Sequence, residues 1–156
     1  MNVNLPLAAL LHDEDAVVCE HAADALWSIW FRAGADEHIR ELQRLIRLDV
    51  NSDSAESVIA QFDALAKAAP RFAEVFNQRA IVYFRLGELS KCVADCEKTL
   101  RLNPVHFGAA SGMGQAFMKQ RKLRAALRSY RRAFRINPHL DGITDAIDSL
   151  EKTLGE

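Results

Sequence analysis

The chain has 156 residues, 49% of them hydrophobic and 26% charged, and a net charge of −1. That is enough chain for one ordinary core and too little net charge for whole-molecule attraction to nucleic acid or anionic lipid. No apolar stretch approaches the roughly 20 residues of a membrane span, and the first basic residue is Arg32, too late for a secretory n-region; the expectation is a cytoplasmic protein with no membrane partner.

Charge is uneven along the chain. Residues 1–38 hold seven acids and one base, whereas Lys119 to Arg135 holds eight bases and no acid. Within the acidic part, Leu5 to Leu11 and Asp15 to Arg32 read as two helices that lead into the rest. The stretch from Asp13 to Val18, with Ala22, Ala25 and Leu26, is similar to a HEAT-type hairpin, with Cys19 where that pattern usually has Arg. Trp27, Trp30 and Phe31 are expected to pack this lead-in, residues 1–38, onto the first of the elements that follow.

From residue 39 the pattern becomes periodic. Leu42, Leu45, Ile46, Val58, Phe62 and Leu65 precede Pro70. Phe76, Ala80, Tyr83 and Phe84 recur at helical spacing, as do Leu89, Val93, Cys96 and Leu100, and Leu86-Gly87-Glu88 supplies a tight turn between them. The same hairpin returns 34 residues later. Tyr83 falls on Phe117, Phe84 on Met118, Leu89 on Leu123, Cys96 on Tyr130 and Leu100 on Phe134. Asn103-Pro104 falls on Asn137-Pro138. Small residues coincide as well: Ala80 with Gly114, Cys92 with Ala126 and Thr99 with Ala133. Small side chains at fixed places are what a close helix crossing requires. A period of this size marks a repeat array, and an array needs a capped end. Ile143, Ile147, Leu150 and Leu154 form the stripe of a capping helix within residues 141–156.

These residues resemble tetratricopeptide repeats. Residues 73–106 fit through Phe76, Ala80, Tyr83, Gly87, Cys92, Cys96, Thr99 and Pro104. Residues 107–140 fit through Ala126, Tyr130, Ala133 and Pro138, but carry Ala110 for a large aromatic and Arg121 for the turn glycine. Residues 39–72 form a degenerate copy with Asp49 where an aromatic is usual. The resemblance implies an all-α, right-handed solenoid of antiparallel helix pairs over 39–140. It also implies a non-catalytic protein-interaction module that binds a peptide or helix of a partner protein in a concave groove lined by the first helix of each pair.

Carried over by position, that groove comprises Arg40, Gln43, Arg44 and Arg47, then Asn77, Gln78, Ile81, Phe84 and Arg85, then Ser111, Gln115, Met118 and Lys119. The amides can bond a peptide backbone, the bases favour carboxylates, and Ile81, Phe84 and Met118 offer apolar anchorage. The relatives that hold chaperone C-terminal tails use a clamp of basic and Asn side chains. Here its places hold Gln43, Arg47, Gln78, Gly108 and Gly112, so chaperone tails are not the favoured partner.

An alternative surface lies on the second helix of the third pair. Arg121, Arg124, Arg128, Arg131 and Arg135 are spaced to share one face, a basic convex stripe for an acidic partner or a polyanion. Leu123, Ala126, Leu127, Tyr130, Ala133 and Phe134 take the opposite, buried face. The aromatics that would stack on unpaired bases are then turned inward, which argues against nucleic acid. The acidic front and basic rear also permit self-association, a homo-oligomer held by charge.

Nothing in the sequence points to catalysis or to a cofactor. The five His residues are not paired at one-turn spacing with another His or a Cys, and Cys92 and Cys96 alone do not make a metal site. No Gly-rich phosphate loop, nucleophile elbow or His-Glu helix motif occurs. The three Cys read as reduced, buried thiols.

Overall fold

A computed structural model describes residues 4–51 and 53–155. Those residues form α1 (Asn4–Ala9), a 3-10 turn (Leu10–His12), α2 (Ala16–Phe31), α3 (Asp36–Leu45), α4 (Ala55–Ala68), α5 (Ala73–Arg85), α6 (Leu89–Leu102), α7 (Phe107–Lys119), α8 (Leu123–Ile136) and α9 (Ile143–Leu154), with no strand among them. Consecutive helices pair as α3/α4, α5/α6 and α7/α8, the pairs stack through α4/α5 and α6/α7, and α9 closes the end on α8.

The two regular hairpins turn by the same device. Gly87 has φ +77° between α5 and α6, and Arg121, at the equivalent place between α7 and α8, has φ +57°. The first is the conformation glycine adopts without cost; the second puts a side chain in the left-handed region. Each pair also ends alike. Asn103 and Asn137 both have φ −137° and extended ψ, the conformation that a following proline imposes. Both are buried, and Asn137 Oδ1 accepts the amide of His139 at 3.0 Å.

Small residues set the helix crossings. A Cβ on Gly114 would stand 2.7 Å from the Tyr130 ring, so Gly114 is what lets α7 approach α8. One repeat earlier the same pair of positions holds Ala80 and Cys96, both 2% exposed: the larger small residue faces the smaller partner. Arg79 ties three helices together. Its guanidinium donates to both oxygens of Asp95 on α6 and to Asp63 on α4, each at 2.7 Å. Hydrogen bonding to Asp95 holds its pKa above the ordinary arginine range.

The first pair departs from the register. Helix α3 starts before residue 39 and stops at Leu45, so Ile46 and Arg47 lie beyond it and Ile46, expected among the packed residues, is 42% exposed. The cause is local. Asp49 brings a charge where an aromatic would be buried, and Asn51 with Ser54 builds a local turn ahead of α4 instead. Asn51 Oδ1 accepts the amides of Asp53 and Ser54, and the Ser54 hydroxyl donates to the Asp49 carbonyl at 3.0 Å. Helix α4 therefore keeps its repeat position while α3 slides toward the N-terminus.

The lead-in also settles differently from expectation. Phe31 does join the core of the first pairs, and Gly34 lies where a Cβ would meet the Phe72 ring at 2.6 Å. Trp30, Leu26 and Leu11 instead pack with Phe107, Val105, Ile136 and Leu140. Helices α1 and α2 thus run beside the array and reach its third pair, where His12 Nε2 lies 3.1 Å from the Arg135 carbonyl. At the far end, Ile143, Ile147 and Leu150 of α9 are buried against α7 and α8, as the capping stripe requires.

Candidate functional site

The face shared by α5 and α7 is built around a buried polar knot. Glu74 and His106 are both fully buried. Glu74 Oε1 accepts from Asn77 Nδ2 at 2.8 Å and from Gln78 Nε2 at 2.7 Å. The His106 Nδ1 accepts the Ala109 amide at 3.0 Å, capping α7, so Nε2 must carry the proton that faces Glu74 Oε2 at 3.0 Å. Three donors thus satisfy a carboxylate that would otherwise be costly to bury. Trp30 stacks on the imidazole at 4.2 Å, and Trp27 meets it edge-on at 5.3 Å.

This knot changes the role of two expected groove residues. Asn77 is buried and Gln78 is partly buried, and both donate to Glu74. They fix the wall rather than standing free to meet a ligand backbone. Glu74, His106 and Trp27 were not singled out in the sequence as site residues. The signal that could have found them is the pairing of an acid on the first turn of α5 with a His capping α7.

Beside the knot is a cavity of about 170 Å3 lined by Trp27, Asn77, Ala80, Ile81, Phe84, Cys92, Cys96, Gly108, Gly112 and Gln115. Its floor is the thiol pair of α6. The Cys92 thiol is lowered by its hydrogen bond with Cys96, and that same bond together with burial pushes Cys96 up. Gly108 abuts Trp27, where a Cβ would lie 2.6 Å from the indole. Gly108 therefore stands where an indole has taken the space of a side chain.

The rim carries apolar and cationic groups together. Ile81 and Met118 are each 39% exposed. Lys119 Nζ sits 4.0 Å from the centre of the Phe84 ring, a cation–π contact. Arg85 and Gln115 are exposed and Ser111 is half-buried. The first pair contributes less. Arg44 is held on its own hairpin by Glu41 and Gln61, and Arg47 lies past the end of α3.

The basic stripe of α8 is broken in the structure. Arg121 belongs to the turn, with positive φ, and not to the helix. Arg131 reaches across to Glu151 on α9 at 2.8 Å. Arg124, Arg128 and Arg135 remain exposed. Phe134, expected in the buried face, is 38% exposed because α9 covers the neighbouring stripe and leaves it at the edge of the α8/α9 groove. No group of three or more His, Cys, Asp or Glu is placed to hold a metal among the described residues, and no helix among them is long and apolar enough to cross a membrane.

Stacked helix pairs that expose a continuous side wall define a class of scaffold that works by presenting a surface. Comparison with known proteins places one such unit in this chain: residues 73–106 match the tetratricopeptide repeat. The chain is 35% identical over 69 residues to a TPR repeat-containing protein of Rhizobium etli, a match covering 44% of this chain and 34% of that one. It is 27% identical over 90 residues to Hsp70-Hsp90 organizing protein 1 of Glycine max, covering 55% of this chain and 16% of that one. The chain thus spans about a third or less of the length of these curated relatives. Among solved structures, the Sgt2 TPR domain from Aspergillus fumigatus superposes with a TM-score of 0.66 at 15% identity, covering 79% of this chain and 82% of that one. The first TPR of Spaghetti (RPAP3), bound to the HSP90 peptide SRMEEVD, gives 0.61 at 24% identity, covering 67% and 82%.

Proposed function

We propose that the protein is a non-catalytic interaction module that holds a peptide or helical segment of a partner protein on the α5/α7 face. The observation that carries this is the composition of that face. Ile81, Phe84 and Met118 are partly or largely exposed beside Arg85 and Lys119, and the only acid on either helix is the buried Glu74. Apolar anchors beside unopposed cations suit a segment that is itself apolar and acidic. That solved TPR structures of similar fold carry bound peptides supports the reading. A chaperone C-terminal tail is not the favoured ligand: the clamp positions hold Gln43, Arg47, Gln78, Gly108 and Gly112, of which Gln78 is bound to Glu74 and Gly108 is pressed on Trp27. The test is affinity capture with the wild type beside Gln115→Ala/Lys119→Glu. Loss of the principal partner is the expected result, and an identical set of recovered proteins contradicts the assignment.

One observation favours a second surface. Arg121, Lys122, Arg124 and Arg128 surround one shallow depression with Leu154, and no carboxylate pairs with them among the described residues. An acidic partner there would bind with a steep dependence on salt, tracking the number of charges neutralised, whereas docking on the apolar α5/α7 rim would fall far less.

A further inference from the structure

The cavity beside Trp27 draws its lining from four helices, α2, α5, α6 and α7. Its volume is about 170 Å3, and an apolar cavity of about 150 Å3 accommodates benzene. Three sides come from the repeats: Ile81 and Phe84 of α5, the Cys92 and Cys96 sulfurs of α6, and Gly112 of α7. The fourth is the Trp27 indole, supplied by the lead-in and seated against Gly108. The knot of Glu74, His106 and Trp30 fixes that wall from behind.

What lies around the cavity gives its ligand a direction. Trp27 also borders a separate groove lined by Glu20, Asp24, Asp141 and His139, where the carboxylates repel an acidic ligand. At the other end of the face, Arg85 and Lys119 close α5 and α7. No carboxylate pairs with either among the described residues, and Lys119 is held by the Phe84 ring. Gly112 and Lys119 are seven residues apart, about 10 Å of helix, which an extended peptide covers in about three residues.

We propose that this cavity is the anchor pocket of the docking face: it takes one Phe, Leu or Met side chain of a partner peptide, with an Asp or Glu about three residues away paired to Lys119 and Arg85. The inference rests on the α5/α7 reading above and goes further in naming the side chain and its spacing to the acid. The indole of Trp27 makes the lead-in part of the binding site.

Gly112 offers a clean test. A Cβ there meets only the Cys96 sulfur, at 3.9 Å, so Gly112→Leu has room to enter the helix and fills the pocket from its side. Replacing a mid-helix glycine also favours the helix, so lost binding would not reflect lost folding; a thermal melt confirms this. Random dodecapeptides displayed on phage are panned against the full chain, and the selected peptides are synthesised. The expected selection has Phe, Leu or Met about three residues from Asp or Glu. Binding of those peptides falls about tenfold or more on Gly112→Leu, falls on Lys119→Glu, and is unchanged on Arg124→Glu. Full affinity for Gly112→Leu with loss on Lys119→Glu overturns the pocket and leaves the docking face standing. Peptides indifferent to both variants, or a library that yields no binder, overturn the pocket and count against the face as well.

Discussion

At the scale of single residues, the repeat positions carry complementary sizes. Gly114 faces Tyr130 where Ala80 faces Cys96, and a Cβ on Gly114 would meet the ring at 2.7 Å. Gly114→Ala should therefore destabilise the chain by about 1–3 kcal/mol, overpacking outweighing the gain in helix propensity. A denaturant melt showing equal or greater stability would contradict the crossing described for α7 and α8. Burial also pushes the phenols of Tyr83 and Tyr130 up. A raised folded pKa means the folded chain keeps protons that the unfolded chain releases, so this contribution is fully present below the unfolded value and is lost above it. Stability should decline as pH rises past about 10. Stability that is flat across that alkaline range would show that neither phenol is held in its neutral form by the fold.

At the scale of elements, the most consequential contact joins α5, α7 and α2 through Glu74, His106 and the two Trp rings. Removing the carboxylate leaves His106, Asn77 and Gln78 without their shared acceptor inside the protein. Glu74→Ala should cost about 2–4 kcal/mol, read by chemical denaturation. A loss below about 0.5 kcal/mol would mean that the knot is not a structural bond between the pairs. This is also where the sequence stops short. The period, the turns and the cap could be read because each depends on residues at fixed spacing in one chain segment: Gly87, the two Asn-Pro pairs, and the stripe from Ile143 to Leu150. The sliding of α3 could not, because it depends on a competition between a buried position offered to Asp49 and the local turn of Asn51 and Ser54. Nor could the place of α2, since Trp27 and Trp30 are far in sequence from His106, Phe107 and Gly108, with no periodicity linking them. Register put Asn77 and Gln78 on α5, but that both amides are spent on Glu74 could not be read from it. On α8 the spacing aligned five arginines, yet a turn conformation removed Arg121 from the helix and Glu151 drew away Arg131.

At the scale of the whole molecule, two charged surfaces compete to explain what the array presents. The α5/α7 face combines exposed Ile81 and Met118 with two cations, and the exposed surface of α8 offers the cations Arg124, Arg128 and Arg135. The difference predicts salt behaviour. A partner on the inner face should lose less than tenfold in affinity between low and moderate salt, whereas several phosphate or carboxylate contacts on α8 would cost orders of magnitude. The measurement that tests the central claim most directly is calorimetric binding of one partner peptide to two double variants. Arg85→Glu/Lys119→Glu reverses the charge of the inner face, and Arg124→Glu/Arg128→Glu reverses that of the outer one. The account predicts loss of about tenfold or more on the first and unchanged affinity on the second. Unchanged binding to the first variant together with loss on the second would contradict it.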